Sequence, residues 1–347
     1  MSINFDDYFM PAEWAAHEAT WLAWPVNAET WPEDLDAVRD VYTQMIAALT
    51  VGERVILLAA DCQVAGQIHQ RLSVSGVNFA NLKIVTIPVN DSWMRDAGPI
   101  FLKARAADRQ PQLIAHDFVF NTWGKKYGPW DADDQIPTRG GSMLGFPVIA
   151  HDMVLEGGSI DVNGSGSVLT TKQCLLNPNR NPSLSAAQIE ANLKKFLGVR
   201  QVLWLDEGIE GDDTDGHIDD ITRFVAKNKI LTVVEPRKSD TNHEPLQNNL
   251  QKLKTFRDAD GQPFEIIELP MPDRAVSGPF GRSPASYANF YIANGVVLVP
   301  VYSAANDRLA LDIISGCFPG RKVIGIECTP LVSGLGSIHC VTQQQPR

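Results

Sequence analysis

The stretch GLGSIHC, residues 334–340, sets two glycines, a histidine and a cysteine within seven positions. Three other segments carry the same pattern: RDAGPIFL (95–102), LEGGSIDV (155–162) and DTDGHIDD (213–220). Aligned on Gly98, Gly158, Gly216 and Gly336, each has a glycine, a small or polar residue, an isoleucine, and then a chemically varied pair. The glycines recur at about 60 residues or twice that, and SGPFGR near Gly278 falls about where a missing copy belongs. A period of this length is too long for a helical solenoid and predicts repeated β/α modules arranged in a ring.

The intervening sequence agrees with an α/β fold. Short β-branched runs bounded by turn residues read as largely buried strands: RVILLAA, LKIVTIPV, QLIAHDFVF, SVLTTKQCLL, QVLWL, KILTVVEP, FEIIELPMP, GVVLVPVY and KVIGIE. Helical segments lie between them. In residues 32–50, Leu35, Val38, Val41, Met45 and Leu49 fall on one face at helical spacing. In residues 183–198, Ser185 is placed to cap a helix that stops at Gly198. Residues 244–258 and 306–320 predict two more helices. No low-complexity linker interrupts residues 1–347, so a single domain is expected.

Composition narrows the function. The net charge is −11, and no Lys/Arg cluster forms a patch that would track phosphates, which argues against nucleic acid. No apolar run reaches the roughly 18–20 residues that span a bilayer, which argues against a membrane. MSINFDDYFMP has neither a basic nor an apolar leader region. The cysteines Cys62, Cys174, Cys317, Cys328 and Cys340 are few, odd in number and widely spaced, as expected of free thiols in a reducing cytoplasm. All but Cys340 sit in apolar or helical contexts and read as buried. An acidic field favours a cationic small molecule as partner.

If equivalent repeat positions face a common axis, Asp96, Glu156, His217, Asp219 and Cys340 converge there. On a strand, His217 and Asp219 would point to one face. Cys340 lies one residue further from its glycine than Asp219 does, which calls for a bulge or loop at the thiol. One thiol, one imidazole and three carboxylates exceed what a cysteine amidase needs, but they suit a guanidinium, a planar cation whose N–H fork carboxylates accept in pairs. Asp96 and Asp219 are assigned as its clamp, and Trp93 as a ring that stacks on the cation. A bound cation also lowers the pKa of a nearby thiol, which yields the attacking thiolate. His339, adjacent to Cys340, should point to the opposite side and is read as supporting rather than catalytic.

The segments MPAEWAAHEATWLAWP, NDSWMRDAGPIF, FNTWGKKYGPWDADD, EGGSIDVNGSGSVLTTKQCLLNPNRNPSLS, DDTDGHIDD and GLGSIHCVTQQQP resemble the agmatine deiminase family. That family is a branch of the guanidine-modifying enzymes, related to bacterial-type peptidylarginine deiminases. The resemblance runs from about residue 10 to the C-terminus. It implies a pentein fold, an α/β propeller of five pseudo-symmetric ββαβ modules around a central active site. It also implies Cys340 as nucleophile, His217 as general acid/base, Asp96 and Asp219 as the guanidinium clamp, and Glu156 as the acid beside His217. The implied reaction hydrolyses agmatine to N-carbamoylputrescine and ammonia through a covalent amidino-thioether, with no metal or organic cofactor. Alternative substrates are arginine, peptidyl-arginine and aminopropyl-agmatine.

The chain departs from the family pattern at Leu335 and Ser337, where glycine and asparagine are usual, and at Asp161, where histidine is often seen. Two other classes remain open: a metallohydrolase with His217, Asp219, Glu156 and Cys340 as ligands, and a non-catalytic scaffold. Exposed helical faces on a ring would permit a homodimer.

Overall fold

A computed structural model describes residues 3–347 of the chain. Five units repeat one topology, in which a short strand pairs antiparallel with a second, and a helical crossover leads to a third strand parallel to the second. The units contain Ile100–Ala104, Leu113–Val119 and Val148–Val154; Asp161–Val162, Ser167–Thr171 and Gln201–Leu205; Thr222–Ala226, Lys229–Val234 and Glu265–Pro270; and Tyr291–Ile292, Val296–Val301 and Lys322–Glu327. The remaining unit draws on both ends of the chain. Its first strand, Gln343–Pro346, pairs antiparallel with His17–Ala23, which runs parallel to Arg54–Ala59 and on to Leu82–Thr86. This is the ββαβ repeat expected of a pentein.

Local chemistry accounts for the crossovers. Asp34 caps the helix Leu35–Leu49 by accepting from the Ala37 N–H, and Val38, Val41, Met45 and Leu49 are buried on its inner face. The helix Ala186–Leu197 opens with a capping box between Ser185 and Gln188 and stops at Gly198, whose φ is +64°. His243–Thr255 and Asp307–Cys317 are the other two expected helices. The middle strands are buried on both faces, as parallel strands covered by helices require; in Val296–Val301 every residue but the last is buried. The outer strands Leu82–Thr86, Glu265–Pro270 and Lys322–Glu327 fall short of the burial their sequence predicts, each with one buried residue and the rest half-buried or exposed.

Four expectations are corrected. The segment near Gly278 is no module start but a hairpin, Ser277–Gly278 with Gly281–Arg282. The fifth copy is the turn before Tyr291, which carries Ser286 and Asn289 and no glycine. SVLTTKQCLL is a strand only through Thr171; Thr171 then caps the short helix Lys172–Leu175. Cys62 opens the helix Cys62–Leu72 and is exposed, and Cys317 is half-buried. No described helix is long and apolar enough to cross a membrane.

Candidate active site

The turn that precedes each module's first strand supplies a polar side chain, and the turns meet. Asp96 lies in the short helix Met94–Ala97, and Glu156 precedes the turn Gly157–Ser159. His217 and Asp219 flank and enter the turn Ile218–Asp220. They are therefore not on a strand, and a tight turn rather than pleat alternation brings them together. Cys340 also lies in a turn, which supplies the loop that its extra residue requires.

The contacts are direct. Asp96 Oδ1 accepts from the Gly158 N–H at 2.9 Å and its Oδ2 from Trp123 Nε1 at 2.9 Å. His217 Nδ1 lies 3.8 Å from Asp96 Oδ1. Asp219 Oδ2 is 2.6 Å from His339 Nδ1 and 4.0 Å from Cys340 Sγ. Asn289 Nδ2 approaches Cys340 Sγ at 3.1 Å and donates to Asp220 Oδ1 at 2.9 Å. Glu156 is fully buried, with Oε1 on Arg180 Nε at 2.6 Å. Three polar atoms here are buried without partners: Glu156 Oε2, His217 Nε2 and Asp219 Oδ1. Each such atom costs about 1–3 kcal/mol if left unsatisfied, which marks this as a place built to meet something else.

Burial and charge shift the titrating groups in useful directions. Burial raises Asp96 to about 6, with the Asp219 and Glu156 carboxylates adding to it and His217 opposing. Burial works against protonating His217, but Asp96, the Cys174 thiol and Asp219 outweigh it and hold the imidazole well above its usual value. Cys340 is pushed well above the ordinary thiol range by burial and by Asp219, Asp220 and Asp96. For Asp219, burial is outweighed by the hydrogen bond from His339 and by nearby positive charge, so its carboxylate is favoured. The resting site thus pairs a neutral thiol with a protonated imidazole.

A cavity of about 530 Å³ opens onto this floor. Cys340 and Asp96 lie at its base, Trp93, Trp123, Phe120 and Leu335 form apolar walls, and Glu29, Asp91, Asp133 and Asp213 add carboxylates. No lysine or arginine is among its described lining residues. Trp93 is buried, packing on Trp31 and Trp123 at ring separations of 5.5 and 6.1 Å. The metal set His217, Asp219, Glu156 and Cys340 does not form one cluster. The groups instead divide into Glu156 with Cys174 and His217, and Asp219 with Asp220 and Cys340.

Several residues here carried no sequence signal. Asn289 sits in the turn that lacks a glycine. Glu13, far away in the chain, accepts from His339 Nε2 at 2.7 Å and from Arg223 at 2.8 Å, so His339 bridges it to Asp219. Arg180 ties Glu156 to Asp215 and to the Trp123 carbonyl. Asp161, noted as a departure, bonds to Arg223 Nε.

Known proteins resemble the chain over nearly its full length. An agmatine deiminase of Medicago truncatula is 36% identical, over 99% of this chain and 97% of its own. The agmatine deiminase of Enterococcus faecalis superposes with a TM-score of 0.90 at 32% identity, over 99% of this chain and 96% of that one. A C. jejuni agmatine deiminase with substrate bound gives 0.88 at 31% identity, over 98% and 96% of the two chains. Residues 9–346 match the Porphyromonas-type peptidyl-arginine deiminases, and the chain belongs to that family.

Proposed function

We propose that the protein is an agmatine deiminase, a single catalytic domain that hydrolyses agmatine to N-carbamoylputrescine and ammonia. One observation carries the choice of substrate: the cavity above Cys340 is lined by carboxylates and apolar rings, with no lysine or arginine among the described lining residues. Agmatine is cationic at both ends and suits such a lining. The α-carboxylate of free arginine would face like charges, which disfavour it. The acidic chain as a whole attracts the same cation, and free thiols fit a cytoplasmic setting.

The guanidinium is held between Asp96 and Asp219, whose unpartnered Oδ1 is free to accept, with Trp93 against the cation's face. Its positive charge offsets the carboxylates that keep Cys340 protonated, so the thiol proton leaves to solvent as substrate binds. The thiolate adds to the guanidinium carbon to give a tetrahedral adduct. Protonated His217 donates to one departing nitrogen, the C–N bond breaks, and ammonia leaves an amidino-thioether cation. Neutral His217 then takes a proton from water as its oxygen adds to that carbon. The C–S bond breaks, the thiolate returns, the hydroxyl proton of the adduct passes to solvent and the neutral ureido product departs. Glu156, anchored by Arg180, supports His217. No step calls for a metal or organic cofactor.

Mass spectrometry of protein quenched during agmatine turnover tests this. An adduct on Cys340 with the mass of agmatine less ammonia is expected. Turnover that produces an adduct only from arginine or a peptide would replace agmatine as substrate. Activity abolished by EDTA but kept by Cys340→Ser would replace the mechanism.

A further inference from the structure

Leu335 lies in the left-handed region, at φ +72°, on the wall of the cavity above Cys340. It follows the short helix Thr329–Val332, and its N–H donates to the Val332 carbonyl at 3.0 Å, so it occupies a helix-terminating position where glycine is the ordinary resident. Its two neighbours are glycines for another reason. A Cβ on Gly334 would strike the Trp31 indole, and one on Gly336 would strike the Trp93 ring. Glycine is thus used on both sides for clearance, while the position where its backbone freedom is wanted holds a γ-branched side chain.

Apart from Ser303, the strain gathers around this cavity. The other described non-glycine residues with positive φ are Thr122, Trp123, Lys125, Asp215 and Ser303. Thr122 and Trp123 line the same cavity, Lys125 continues their turn, and Asp215 holds Arg180 behind it. Unfavourable backbone held at a ligand cavity points to a side chain whose placement matters more than its local cost. Leu335 is half-buried and offers aliphatic surface close to Trp93 and Cys340.

We propose that Leu335 determines substrate specificity: its isobutyl group narrows the cavity to an unbranched alkyl chain and rejects guanidines that carry a substituent on that chain. This deepens the deiminase proposal and rests on it. The carboxylates of the lining select charge, whereas Leu335 selects width.

The test compares agmatine with arginine amide, which keeps a cationic end and adds only the branch. The readouts are kcat/KM for each, and the dissociation constant of each by calorimetry in a Cys340→Ala background. Leu335→Ala and Leu335→Gly should each lower the agmatine preference by about tenfold or more, the usual scale for a lost aliphatic contact. Leu335→Met, which keeps the volume, should retain it. Leu335→Gly should melt about 2 °C above Leu335→Ala, because only glycine relieves the backbone.

An unchanged preference in both Ala and Gly variants overturns the proposal. So does a change confined to Leu335→Gly, which would assign the effect to the backbone. If wild type turns over another guanidine but not agmatine, the substrate proposal fails, while the ratio between branched and unbranched guanidines still reads Leu335.

Discussion

Asp96 shows how burial and neighbouring charge set where one side chain titrates. Two donors hold its carboxyl in place, the Gly158 N–H and the Trp123 indole, yet burial and two neighbouring carboxylates raise it to about 6. In the proposed reaction the ionised form grips the guanidinium, so free-enzyme kcat/KM should fall as pH drops below about 6. On the alkaline side it should fall as His217, held protonated well above its usual range, loses its proton. Asp96→Asn should cost about 100-fold in kcat/KM and remove the acid limb, as a pH–rate profile would show. A limb that persists near 6 assigns it to another group. Stability moves the other way. The folded carboxyl binds its proton more tightly than the unfolded one, whose pKa is about 3.9. Its contribution therefore grows as pH falls from about 6 towards 4 and is lost as pH rises through 6. A pH series of urea melts on wild type and Asp96→Asn separates the two effects.

Turns decide the site and helices hold the turns in place. The helix Ala186–Leu197 packs Ile189, Leu193 and Leu197 inward and ends on Gly198, beside the N-terminal strand Tyr8–Phe9. Gly198 has φ +64°, and a Cβ there would run into the Tyr8 carbonyl and lie 2.8 Å from the Phe9 Cα. Gly198→Ala therefore combines a left-handed alanine with a backbone clash, and a loss of about 2 kcal/mol is expected. The urea midpoint should fall while kcat for agmatine stays at wild-type level, because the position touches no group of the site. An unchanged midpoint would mean that the Tyr8–Phe9 strand yields at little cost. Nearer the site, Thr171 Oγ1 donates to the Gly216 carbonyl at 2.6 Å, and the Cys174 N–H that follows donates to that same hydroxyl. The loop before His217 is thus fastened by the neighbouring module's short helix.

A buried ionic web joins modules that are remote in sequence. Arg223, 1% exposed, bonds to Glu13, to Asp161 and to the carbonyls of Ala288 and Phe290. Glu13 in turn meets His339 and lies 3.6 Å from Arg95, whose guanidinium also reaches Gln343 and Gln344 of the last strand. These cations hold Glu13 well below the usual carboxylate range against the burial that would raise it. Replacing Arg223 by methionine fills much of its volume but strands two buried carboxylates. A destabilisation of about 3–5 kcal/mol is expected by chemical denaturation. A loss under about 1 kcal/mol would mean that Glu13 and Asp161 are neutral in the folded chain.

Residues whose chemistry is visible one at a time were legible in the sequence. The glycine-anchored repeats at 98, 158, 216 and 336 located the turns that carry Asp96, Glu156, His217, Asp219 and Cys340, because a backbone turn into a crowded centre favours glycine wherever it recurs. Ser185, Gly198 and the buried face of Leu35–Leu49 followed from caps and periodicity, which are local properties. The hairpin at 277–282 misled because its glycines serve a turn of their own, while the fifth copy uses Asn289. Only the folded chain decided that Asn289 meets the thiol, that Glu13 reaches His339, and that Leu335 sits at positive φ on the cavity wall. Those are contacts between segments as far apart as residues 13 and 339. Composition and periodicity record what each segment prefers, and the packing of five modules sets which segments touch.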